Sequence, residues 1–339
     1  MPVANHLRGA AFVAVAAMAL AACSSTEEDA TALDIAAATS ADASPETSET
    51  AVAEATEATE VTVQTYQGEA TVPANPQTVV VFEHGILDSI DALGAGDAVA
   101  GIPHHAVPSY LADYTTSTEN MGTLFEPDYE AVNALQPDLI IVGGRSAATL
   151  PEMEKIAPTI DLSFDWETDA FESSLQTNTT TLGTIFSKDA EATAALESLS
   201  TQAADINTAA AEAGKGLVVM TSAGEVSAYG PGSRFDFVYN LLGIDPAAEQ
   251  VAIDDHGDAI SFEFIAETNP DVLLVLDRDA AIGEEADSAQ TVLDNDLVNG
   301  TNAVTNDKVV YVDTEKWYLS FGGLTALQGI LDDVNTVVS

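Results

Sequence analysis

Apolar positions along the chain fall into two rhythms that alternate. Unbroken or nearly unbroken runs occur at 79–82, 99–102, 139–142, 217–220, 272–275 and 309–312. Short runs of this kind suit strands covered by helices on both faces, as in parallel sheets. Between them the apolar residues take helical spacing: Ile86, Leu87, Ile90 and Leu93 before Gly94; Val132 and Leu135; Phe264 and Ile265; 235–242 before Gly243; and 324–338 at the end of the chain. A further short strand is expected after 155–160, and helical structure from Phe171. The alternation of strand and helix predicts an α/β fold.

One stretch occurs twice. Residues 130–145 read EAVNALQPDLIIVGGR and residues 263–278 read EFIAETNPDVLLVLDR. Glu, Pro, Asp and Arg all recur at an offset of 133 residues with no shift, so chance is a poor explanation. In each copy a helical segment is stopped by Pro, a buried strand follows, and an Arg stands just past the strand's carboxyl end. Open α/β sheets place their ligands there. Two copies predict two Rossmann-like lobes, each offering one Arg to a shared cleft. Between them, 188–213 is rich in Ala, Glu, Leu and Gln, good helix formers. At 1.5 Å per residue it reaches about 40 Å, more than one lobe needs, and is expected to bridge the lobes. The lobes are then 66–187 and 214–339.

Composition adds the setting. The chain has 339 residues, 46% of them apolar, with 9 Lys+Arg against 55 Asp+Glu and a formal net charge of −46. A field this negative excludes nucleic acid and anionic lipid surfaces as general partners. Residues 1–22 form an export signal: Arg8, an apolar segment 10–20, then Leu20-Ala21-Ala22-Cys23. This resembles a bacterial lipobox, with Cys23 lipidated as the mature N-terminus. Cys23 is the only cysteine, and lipidation removes the oddity of a free exported thiol. The apolar segment is too short to span a membrane. Residues 23–65, mostly Ala, Thr, Ser and Glu without a base, read as a disordered acidic tether.

Past the leader the chain has three arginines, Arg145, Arg234 and Arg278, each at a loop beside a strand end or helix start. Arg suits multidentate contact with anionic oxygens and stacking on aromatic rings. Three in one cleft would make a positive pocket in a negative protein. The plainer alternative pairs each with a nearby Asp236, Asp277 or Asp279. His84, His104 and His105 also lie at strand ends, His256 in a Gly-flanked acidic loop, and Lys316, Trp317 and Tyr318 in a loop after the last strand. The aromatic pair faces the cleft or plugs the core beneath it. The histidines could form a metal site but lack tight ligand spacing. Glu130 and Glu263 open their helices, where a carboxylate suits the macrodipole; as a matched pair they could also dock a basic partner. No G-x-S-x-G elbow, Walker loop or thiol nucleophile marks an enzyme.

The segments FEPDYEAVNALQPDLIIVGGR, YGPGSRFDFVYNLLGI, DDHGDAISFEFIAETNPDVLLVLDR and VVYVDTEKWYLSFGGL, in this order, resemble the substrate-binding lipoproteins of ferric-siderophore ABC importers, in the subgroup taking catecholate and mixed catecholate-carboxylate siderophores. The resemblance spans about residue 66 to the C-terminus. It implies two Rossmann-like lobes with mostly parallel sheets bridged by one long helix, the class III periplasmic-binding-protein arrangement, with little hinge motion. It implies a monomer without a cofactor, anchored through Cys23 at the outer face of the cytoplasmic membrane. Arg145, Arg234 and Arg278 would surround the anionic ferric complex, with Trp317 nearby. His256 and Tyr318 match residues that complete iron coordination for linear ligands, and Glu130 and Glu263 match acids that dock on permease subunits. Lys316, where Tyr is common, and Phe321, within a usually small-residue run, depart from the pattern. A second reading keeps the importer but takes a bare metal ion or haem through His84, His104, His105, His256 and Tyr318.

Overall fold

The two copies of the repeated stretch fold into the same helix–strand unit. In the computed structural model residues 59–165, 170–248, 251 and 257–339 are described. The expected leader, Cys23, the tether as far as Ala58, and His256 lie outside them. The described chain begins with a hairpin, β1 (Glu60–Thr65) and β2 (Gly68–Pro73), antiparallel with Val61 opposite Val72. Val63 and Val72 are buried, and the Tyr66 N–H donates to the Asp161 carbonyl at 2.9 Å. The expected boundary at residue 65 therefore moves back to Glu60. EVTVQT has strand period, and every second side chain turns to the body.

The first lobe holds β3 (Val79–Val81), α1 (His84–Ala92), β4 (Val99–Ile102), β5 (Glu119–Asn120), α2 (Tyr129–Leu135), β6 (Leu139–Val142) and β7 (Thr159–Asp161). Its sheet is parallel throughout, in the order β5-β4-β3-β6-β7. The helices α3 (Phe171–Ile185) and α4 (Asp189–Ala210) follow. The second lobe holds β8 (Lys215–Ser222), β9 (Glu225–Tyr229), α5 (Asp236–Asn240), β10 (Asp245–Pro246), β11 (Asp258–Ile260), α6 (Phe262–Thr268), β12 (Val272–Asp277), α7 (Arg278–Ile282) and β13 (Val309–Tyr311). Its order is β11-β9-β8-β12-β13, with β10 beside β8. Here β9 and β11 run antiparallel to their neighbours. The turn explains the first: Ala223 and Gly224, both at positive φ, make a two-residue hairpin, which can join only antiparallel strands. The chain closes with a π-helical turn, Glu315–Leu319, where a plain loop was expected, and with α8 (Leu324–Val338).

The repeat owes its form to more than Pro. Each helix ends one residue earlier, at Gln136 or Asn269, both left-handed (φ 52° and 45°) and both donating back into the last turn. The Asp after Pro then staples the start of the preceding parallel strand. Asp138 accepts from the Gln77 and Thr78 N–H groups at 2.9 and 3.0 Å, and Asp271 from the Lys215 N–H at 3.0 Å. Return bonds run from the Asp138 N–H to the Thr78 carbonyl and from the Asp271 N–H to the Lys215 carbonyl. The runs themselves, Leu139–Val142 and Val272–Leu276, are fully buried.

Helix α4 bridges the lobes as expected. Near its start Ala192 packs so closely on Gly183 of α3 that a Cβ there would stand 2.8 Å away. Near its end Asn207 donates to the Leu241 carbonyl beyond α5 at 2.9 Å. A second crossing is α8, whose first N–H groups, on Thr325 and Ala326, donate to Asp88 of α1 at 2.7 and 2.8 Å. Between these crossings the rings of Phe164 and Phe171, from the first lobe, pack with Phe237 and Phe321; Phe171 and Phe237 stack at 5.0 Å.

Candidate functional site: three guanidiniums around a phenol

In each sheet the order reverses at the same place. Strand β3 connects onward to β4 on one side while its other neighbour, β6, connects to β7; β8 and β12 stand in the same relation with β9 and β13. Crevices form at the carboxyl ends of such adjacent strands. Glu83 and Arg145 follow β3 and β6 at the first crevice, and Arg278 follows β12 at the second, opposite Ser222 at the end of β8. Arg278 Nη1 donates across it to Ser222 Oγ at 3.2 Å.

The arginines share one neighbour, Tyr318. The guanidinium carbons of Arg145, Arg234 and Arg278 lie 5.2, 5.3 and 5.9 Å from its ring centroid, a cation–π range. Arg145 Nη2 donates to the Tyr318 carbonyl at 3.0 Å, and Arg278 Nε donates to its hydroxyl at 3.1 Å. Burial pushes the phenol up, but the Arg278 hydrogen bond and the three positive charges outweigh it and hold the pKa below the usual phenol value. The hydrogen bond to Tyr318 in turn raises that of Arg278. Arg234 lies against the rings of Phe235 and Phe321, at 5.2 and 5.9 Å, and its buried Nε has no hydrogen-bond partner among the described residues. Burial, then the charge of Arg145, lowers its pKa from the ordinary guanidinium value, but a guanidinium stays protonated.

Among the described residues only one of the neighbouring aspartates, Asp279, forms an ion pair with these charges. Asp236 accepts instead from Gly232 N–H and Asn240, and Asp277 from the Ala280 and Ala289 N–H groups. Asp279 stands 3.6 Å from Arg278 while accepting from the Ala223 N–H at 2.6 Å. Glu83 comes to 3.9 Å of Arg145. Burial lifts its carboxyl above the usual range, against the pull of Arg145, the Gly85 and Arg145 N–H groups, and Arg234. In the sequence Glu83 is one acid among 55. Its signal was its place, the first residue after a buried strand run.

Other expectations separate. Trp317 is fully buried, donates Nε1 to Asp333 at 2.9 Å and packs on Phe235 and Phe237. It is the plug beneath the site, not a ligand contact. Lys316 turns to Asp313 at 3.0 Å and toward the Tyr110 ring, away from the arginines; Phe321 belongs to the aromatic pack. His84 is buried, and that burial, the Arg145 charge and His105 lower its pKa to about 4. His104 contacts Thr118, and His105 is exposed. Among the described residues no three His, Cys, Asp or Glu side chains gather into a metal site, and none of the helices is long and apolar enough to cross a membrane. Glu130 and Glu263 are exposed in the first turns of α2 and α6, behind caps from Asp128 and Ser261.

A two-lobed α/β body with a polar cleft at paired strand ends is the architecture of a ligand-binding protein. Residues 79–315 match the periplasmic binding protein family, and the chain belongs to it, with the class III arrangement and as a binding protein, not an enzyme. It is 40% identical over 265 residues to the petrobactin-binding protein YclQ of Bacillus subtilis, covering 78% of this chain and 83% of that one. It is 31% identical over 272 residues to the ferric-anguibactin-binding protein FatB of Vibrio anguillarum, covering 79% and 84%. The YclQ crystal structure superposes with a TM-score of 0.79 at 38% identity, over 83% of this chain and 99% of that one. The periplasmic catecholate-siderophore binding protein VctP of Vibrio cholerae gives 0.75 at 34%, over 82% and 99%.

Proposed function

We propose that the protein captures a ferric siderophore of catecholate type at the outer face of the cytoplasmic membrane and delivers it to an ABC permease. The observation that carries this is the gathering of Arg145, Arg234 and Arg278 on Tyr318. Iron(III) held by three catecholates bears three negative charges, and three fixed guanidiniums are its complement. The names of YclQ, FatB and VctP support the ligand class. Where a ligand leaves iron coordination sites open, the acidified Tyr318 phenol is a fitting oxygen donor, with His256 as the expected nitrogen donor. Glu130 and Glu263 are the docking acids, one per lobe, and Cys23 carries the lipid.

The test is titration of the purified protein with preformed ferric catecholate complexes while tryptophan fluorescence is followed. Trp317 lies directly under the cleft, so the iron–catecholate absorption band should quench it through space without contact. Saturable quenching at micromolar ligand or below is the expected result. No binding at those concentrations by fluorescence or calorimetry overturns the reading.

A further inference from the structure

The cleft holds a charged group that the three-arginine account leaves unused. Glu83 stands where β3 ends and α1 begins, beside Arg145 at the end of the neighbouring strand β6; Val81 and Ile141 are paired in the register just behind them. Its side chain is 14% exposed, and Oε1 lies 3.9 Å from Arg145 Nη1. The chain makes room for it: Gly144 has φ +49°, and a Cβ there would meet Glu83 Oε2 at 3.0 Å. Charged groups face Glu83 from two elements, Arg145 after β6 and Arg234 ahead of α5. On its own helix His84 is buried and neutral. Tyr318 touches both of these arginines.

We infer that Glu83 is a fourth charged residue of the ligand cleft, whose carboxyl takes up a proton when a trianionic ferric complex binds. The inference rests on the ligand reading above. In the empty cleft the Arg145 and Arg234 guanidiniums pull Glu83 toward its ionised form against its burial. A bound trianion claims those same guanidiniums. The carboxylate is then left buried beside added negative charge, the situation in which an acid neutralises itself rather than stay ionised. The proton comes from solvent, the carboxylate becomes a carboxylic acid, and no other bond changes. The cleft then offers three positive charges to a trianion with Glu83 neutral, and two to a dianion with Glu83 ionised. One cleft can thereby match ferric complexes of either charge.

Calorimetry tests this with a preformed iron(III) complex of a hexadentate tris-catechol, titrated at one pH in two buffers of different ionisation enthalpy. The wild-type protein should take up about one proton more per ligand than Glu83→Gln. Its affinity should fall with rising pH by up to about tenfold per unit relative to that variant. Glu83→Asp, which keeps a titrating carboxyl, should restore the uptake and controls for folding. Equal proton uptake by wild type and Glu83→Gln, or loss of uptake in both variants alike, overturns the inference while leaving the ligand reading standing. Failure of the wild type to bind the complex in either buffer overturns the ligand reading and this inference with it.

Discussion

Each guanidinium of the proposed site has a different supporting contact, so the three are not interchangeable. Among the described residues Arg145 is held by a backbone carbonyl, Arg278 by a hydroxyl, a phenol and the Asp279 carboxylate, and Arg234 by aromatic rings. Replacing any one by Ala removes a charge-assisted contact and should weaken ferric-catecholate binding by roughly 10- to 100-fold in a fluorescence titration. Arg278→Lys should recover only part of that, because Lys cannot keep both the Nε bond to Tyr318 and the Nη1 bond to Ser222. His84 sets a separate, stability-level effect. Its pKa falls from 6.5 to about 4 in the fold because the ring is buried neutral, so between those values the unfolded chain binds the extra proton. Its contribution is complete above pH 6.5 and is lost as pH drops toward 4, by at most about 3 kcal/mol. Urea midpoints measured across this range should fall less steeply for His84→Leu than for the wild type. The arginines were legible because there are so few and all lie at strand or helix ends. Glu83 and Trp317 were not, since their roles depend on Gly144, Arg145, Phe235 and Phe237, which only folding brings near.

At the scale of elements, the repeated Glu…Pro-Asp…Arg stretch works as a clamp on the strand before it. Asp138→Ala removes the acceptor of two N–H groups at the start of β3 and should cost about 1–3 kcal/mol in denaturant unfolding. Asp271→Ala at the start of β8 should cost less, with one such strand bond beside the one it accepts from Asn302. An equal loss from a control at exposed Asp113 would show that the clamp contributes nothing of its own. The sequence showed the repeat, the buried runs, the bridging helix and the closing helix, all of which have local patterns. It did not show β1–β2 or the antiparallel strands β9 and β11. Those depend on pairing partners, and EVTVQT carries too little apolar surface to stand out from the acidic segment before it. The π-helical turn at Glu315–Leu319 has no local signature because it is its bonds, not its residues, that differ from those of an α-helix.

The whole molecule sets its site against its surroundings. A chain of net charge −46 repels a trianion at distance, whereas the arginines attract it only nearby. Added salt screens the far field over about 10 Å at 0.1 M. The association rate of a ferric tris-catecholate, followed by stopped flow, should therefore rise with salt; a falling rate would show that the cleft's own field dominates the approach. The back of the molecule has a consequence of its own. Helices α4 and α8 cross between the lobes at separate places, α8 tied to Asp88, with the phenylalanine stack between them. On the proposed function, a frame braced at three points should present nearly one outline whether or not cargo is aboard. A receptor that reads only that outline cannot turn away unladen carriers. If the proposed delivery holds, they should queue at its door with the laden ones, and throughput should fall whenever carriers outnumber cargo.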